Sequence, residues 1–143
     1  MTARHFATIT CAVALAGMLA AFSGRAHAQS MIRDQDYMRD VIALADTLGR
    51  AHGIRVLCNG NADQYWRRHM VRLLDMEAPG PGGLRQSMID GFNSGFAYAG
   101  RLHRQCNSAA TRAEQDYAAT GQAITNRLAT ANIPGARLGA PDP

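Results

Sequence analysis

The sequence predicts an all-α fold, a compact bundle of about four helices with one disulfide, preceded by a cleavable signal peptide. Three observations carry that reading. Apolar residues recur at intervals of three and four in four separate stretches, Pro and Gly cluster between two of them, and two cysteines remain in a chain marked for export. No alternating strand run, internal repeat or coiled-coil heptad competes with it.

The mark of export stands at the start. Arg4 and His5 give a short basic beginning, residues 6–22 are an apolar run rich in Ala and Leu, and Ala26-His27-Ala28 is a small-x-small cleavage site. Residues 1–28 therefore read as a signal peptide and Gln29 as the first residue of a periplasmic chain with no stable membrane span left. An uncleaved anchor is the alternative, and the short apolar run and the Ala-His-Ala site speak against it. No cysteine follows the site directly, as a lipoprotein would require.

What remains is enough for one domain with a modest core, expected over residues 29–131, with 132–143 as a disordered tail holding three Pro. All fifteen basic residues are Arg, and the formal net charge of +4 falls when Arg4 and Arg25 leave with the leader. No basic run exceeds the Arg67-Arg68 pair, so a nucleic-acid surface is not expected. Cys58 and Cys106, in an oxidising compartment, point to an intramolecular disulfide. A metal pair or a redox-active dithiol is the alternative, although neither cysteine lies in a C-x-x-C pair.

The first helix is predicted over 34–52. Tyr37, Met38, Val41, Ile42, Leu44, Ala45 and Leu48 form its apolar stripe and Gly53 its stop. His52 extends that stripe, which suggests a half-buried imidazole bonded to a backbone carbonyl, or else a ligand or catalytic group. The second helix, over 62–78, reads as the organising element, because Tyr65, Trp66, Met70, Leu73 and Leu74 make its apolar face. Asn61 is expected as its N-cap and Asp63 as the acid of its first turn, with Pro79-Gly80-Pro81-Gly82-Gly83 ending it. Glu77 falls on the core side and must find an Arg, a helix N-terminus or a ligand, because an unpaired buried carboxylate is costly.

The third helix is predicted over 84–103, with Leu84, Met88, Phe92, Phe96 and Ala99 inward. Gly91 and Gly95 repeat at four beside Ala99, the pattern of a groove where another helix backbone packs close. Asn93 can bond a buried backbone group or line a cleft. Asn107 or Ser108 can cap a fourth helix reaching Ala131, with Ala113, Tyr117, Gly121, Ile124 and Leu128 on a light apolar face.

Laid out together, Leu48-Gly49-x-x-His52, Leu57-Cys58, Trp66-Arg67-x-x-Met70, Leu74-x-x-Glu77-x-Pro79, Phe92-Asn93-x-Gly95-Phe96 and Cys106 resemble a family of small exported alphaproteobacterial proteins of unknown function. The resemblance runs from about Tyr37 to Tyr117. It implies a periplasmic location and pairing of Cys58 with Cys106, and brings no activity. Phe96 stands where the family often has Tyr, so a phenol hydroxyl there is not an essential group in this protein.

The function expected is a non-catalytic binding or scaffolding module of the cell envelope, with an envelope protein or peptidoglycan as partner. The alternative is a small cell-wall hydrolase using Glu77 as acid, assisted by His52 or Asn93. Metal or haem binding through His52, His69 and His103 finds neither C-x-x-C-H nor H-E-x-x-H, so no metal or cofactor is expected. A binding site is sought where His52, Trp66, Glu77 and Asn93 converge.

Overall fold

A computed structural model describes residues 35–131, so the signal peptide and the tail expected from the sequence lie outside the described residues. Four helices follow one another: α1 Gln35–Asn59, α2 Tyr65–Glu77, α3 Gly83–Leu102 and α4 Ser108–Ala131. The centre is α1, not α2. Helices α2, α3 and α4 each pack on α1, α2 touches α3 only slightly, and the backbone of α4 approaches neither α2 nor α3. The short connections therefore do not make every sequential pair a packed pair.

Glycine spacing explains why α1 takes that place. The predicted stop at Gly53 is overruled, and the helix runs on to Asn59. Gly53 is buried against α3, where an added Cβ would lie 2.9 Å from the Ala99 Cβ and 3.0 Å from the Phe96 carbonyl oxygen. One turn earlier, a Cβ on Gly49 would lie 2.0 Å from the carbonyl oxygen of Phe92. The expected groove on α3 answers it: a Cβ at Gly95 would meet the Asp46 carbonyl oxygen at 2.1 Å and one at Gly91 the Ile42 carbonyl oxygen at 3.2 Å. Two small-residue faces thus let the backbones of α1 and α3 nearly touch, which more than offsets the lower helix propensity of glycine.

The main core gathers Val41, Leu44, Ala45 and Leu48 of α1, Met70, Leu73 and Leu74 of α2, Met88 and Phe92 of α3, and Ile124 and Leu128 of α4. A smaller cluster, Ile54 with Ala99 and Ala110, lies at the far end of α1. Phe96, placed inward by its spacing, is 40% exposed, because Gly95 and Ala99 occupy the face turned to α1. As its light apolar face suggested, α4 buries only Ala110, Ile124 and Leu128.

Caps differ from expectation at one end and agree at the other. Asn61 lies in a turn ahead of α2, the N-cap is Gln64, and the Asp63 carboxylate accepts the Tyr65 backbone N–H at 3.1 Å. Aspartate two residues before a free N–H does what a cap does. On α4 the Asn107 side chain accepts the Ala110 N–H at 3.0 Å, one of the two caps read from the sequence. Cys58 and Cys106 form the disulfide. Cys58 sits in the last turn of α1 and not in a following loop, so the bond ties that helix end to the segment leading into α4. At the other end, Arg127 of α4 pairs with Asp40 of α1 through contacts of 2.8 and 3.0 Å. Among the described residues no helix is long and apolar enough to cross a membrane.

Candidate functional site

The four residues expected to converge do not line one common recess. His52 is buried between the rings of Phe92 and Phe96, each 5.6 Å away, and its Nδ1 has no hydrogen-bond partner among the described residues. The expected backbone carbonyl is missing there because α1 continues past residue 52 and its carbonyls remain in helical hydrogen bonds. Desolvation, with the nearby Arg67 charge, holds the His52 pKa below its ordinary 6.5. Glu77 receives the Tyr37 hydroxyl at 3.0 Å from either carboxylate oxygen, a partner not among those anticipated. Asn93 is exposed at a groove between α2 and α3 that Arg67 and Val71 also line.

Trp66 faces elsewhere. Because α4 and α2 stand apart on α1, a cleft of about 530 Å³ opens between them, floored by Leu44, Leu48 and Ala51 of α1. Tyr65, Trp66, Leu73 and Met76 form one wall, Tyr117, Ala118 and Gly121 the other. Neither His52 nor Glu77 lines this cleft or the α2–α3 groove. On the α2 wall the aromatic rings form a cluster: Tyr65 meets Trp66 edge-on at 4.9 Å and His69 at 4.9 Å. His69 is half-buried here, and its pKa is lowered by desolvation and by Arg72 and Arg68.

A polar network fixes the cleft at the disulfide end. Glu114 of α4 accepts the Trp66 indole N–H at 2.8 Å and an Arg55 N–H at 3.0 Å, and Arg55 also donates to Asp63 at 2.8 Å. Asn59 donates to the same Asp63 oxygen at 2.7 Å. Arg55 lies over the Tyr65 ring at 4.9 Å. Hydrogen bonds from Asn59, the Tyr65 backbone and Arg55 together lower the Asp63 pKa to about 2. Three helices and the α1–α2 turn are joined by this one network, which fixes the indole by its N–H at the cleft wall.

The polar groups along the cleft are largely engaged. Thr47 donates to the Ala43 carbonyl at 2.8 Å, Thr125 to the Gly121 carbonyl at 2.9 Å, and Gln122 to the Asn126 side chain at 3.0 Å. Arg72, at the mouth, makes no ion pair among the described residues, and no carboxylate lines the cleft. Tyr65, His69, Arg72 and Tyr117 were not singled out as site residues, although the one-turn interval between Tyr65 and His69 was visible; the contribution of α4 depended on its docking, which no local pattern encodes. No group of three His, Cys, Asp or Glu among the described residues is arranged to hold a metal.

The fold and the cleft define a small disulfide-bonded helical protein with a preformed, mostly apolar recess. The chain belongs to the family described as "Protein of unknown function (DUF2385)", whose model matches residues 36–131. No curated protein and no solved structure matches it.

Proposed function

We propose that this is an exported, non-catalytic binding protein of the bacterial envelope, acting through the cleft that α2 and α4 form over α1. The observation that carries the reading is the cleft itself, of the size of a small-ligand pocket, with an apolar floor and a wall of edge-on aromatic rings. The basic start, apolar run and Ala-His-Ala site of residues 1–28 support export to the periplasm. The resemblance to exported alphaproteobacterial proteins supports it too.

Trp66 is the only tryptophan of the chain and lines the cleft, so it is a built-in reporter. A neutral naphthylamine dye should give saturable one-to-one energy transfer from Trp66, and Gly121→Leu, which fills the cleft, should abolish it. Unsaturable transfer unaffected by Gly121→Leu would refute the cleft as the site. Fractionation should find the protein in osmotic-shock fluid; retention in the cytoplasm would refute export. The hydrolase alternative would require His52 or Asn93 beside Glu77, whose carboxylate receives the Tyr37 hydroxyl. Fragments released from peptidoglycan by the wild type and not by Glu77→Gln would nevertheless displace the binding reading.

A further inference from the structure

Which chemical class the cleft accepts follows from what its lining leaves available. Thr47, Thr125, the Trp66 indole N–H and one Gln122 N–H point their donors at acceptors within the protein, which leaves the Tyr65 hydroxyl, the His69 ring and the rest of the Gln122 amide as the neutral polar groups of the lining. A glycan, which carries a hydroxyl on nearly every carbon, would be desolvated there with few partners for its polar atoms, and each unmet group is costly. An alkyl chain loses nothing. The one full charge at the cleft is Arg72, and the neighbouring outer face of α2 adds Arg67 and Arg68. Cations and anions are therefore treated unequally at the mouth.

We infer that the cleft takes a single-chain anionic amphiphile of the fatty-carboxylate type, its tail along Leu44, Leu48 and Ala51 and its head at Arg72. This rests on the reading of the cleft as the binding site. The occupant is a dissolved monomer and not a bilayer, because the floor lies between two helices and only one chain fits a recess of about 530 Å³. His69, held neutral by its surroundings, stands beside Arg72 as a second donor that adds no charge.

The test uses the oxidised protein purified after export, titrated with dodecanoate, dodecyltrimethylammonium and dodecanol below their micelle or solubility limits while Trp66 emission is followed. Dodecanoate should saturate roughly tenfold or more tighter than the cation, the ratio expected for one charge-assisted contact. Arg72→Gln should erase most of that difference and leave dodecanol binding unchanged. Equal affinity for anion and cation, or binding to anionic vesicles with none to monomers, would overturn the inference. If dodecanol binds and Gly121→Leu blocks it without any anion preference, the cleft stands and the head-group assignment falls. No saturable signal from any of the three would overturn both.

Discussion

Gly95 of α3 lies so close to Asp46 of α1 that a Cβ on it would sit 2.1 Å from the Asp46 carbonyl oxygen. Contact between backbones leaves no flexible side-chain end to move aside. Gly95→Ala and Gly49→Ala should each destabilise the protein by about 2–4 kcal/mol, because the helices must separate and the core between them loosens. Gly100→Ala is the matched control. Nothing lies within 4 Å of its added Cβ, so it should be neutral or stabilising by up to about 1 kcal/mol. Urea unfolding of the three variants checks the contrast, and similar losses in all three would refute the close-approach account.

Glu114 should be the most sensitive residue of the polar network. Glu114→Ala leaves the half-buried Trp66 indole N–H without its acceptor and removes one partner of Arg55. A loss of about 1–3 kcal/mol is expected, with a red shift of Trp66 emission as the ring loosens into water. Unchanged emission would mean that packing alone holds the indole.

The disulfide closes a loop with a sequence separation of 48. Paired Cys58→Ser and Cys106→Ser replacements should lower stability by about 4 kcal/mol in the chain-entropy account. For a small domain that approaches its whole margin. Thermal unfolding with and without a reductant measures it, and an unchanged midpoint would contradict the expectation.

His52 gives stability a pH dependence. Its folded pKa lies below 6.5, so the unfolded chain takes up a proton first as pH falls. The contribution is complete above about pH 6.5 and is lost as pH drops through the folded value. Phe92 and Phe96 of α3 face the ring, Arg67 opposes the protonated form and Asp63 favours it. Asp63 titrates far lower, at about 2, and stays ionised across this window. His69 shifts in the same direction and adds to the slope. Unfolding free energies at pH 7.5 and 5.5 should show a loss that shrinks in His52→Met; an equal slope in that variant would assign the effect elsewhere.

Much of the fold was legible from local pattern: four helices, the Asn107 cap, and the demand of Gly91 and Gly95 for a close neighbour. The length of α1 was not, because Gly53 signals a stop when read alone. It permits close packing once α3 is opposite, and tertiary contact overrode propensity. The same gap explains the site. Trp66 was picked out by its rarity, but its companions across the cleft sit on α4, far away in sequence, and only docking on α1 brings them together. The core-side position of Glu77 was correctly read, while its partner Tyr37 passed as an ordinary member of an apolar stripe.

The central position of α1 also sets the order in which the chain can finish folding. Helix α1 is made first, yet one of its faces waits for α4, and the Asp40–Arg127 pair spans 87 residues. Pairings so far apart in sequence form slowly, since a long loop must close before any contact rewards it. Until the last helix emerges, Leu44 and Thr47 have no covering Gly121, and Cys58 can meet the wrong thiol before Cys106 arrives. Chains halted before residue 108 should therefore stay incompletely folded, and a shortened α4 should be felt as failed folding, more than as a missing surface.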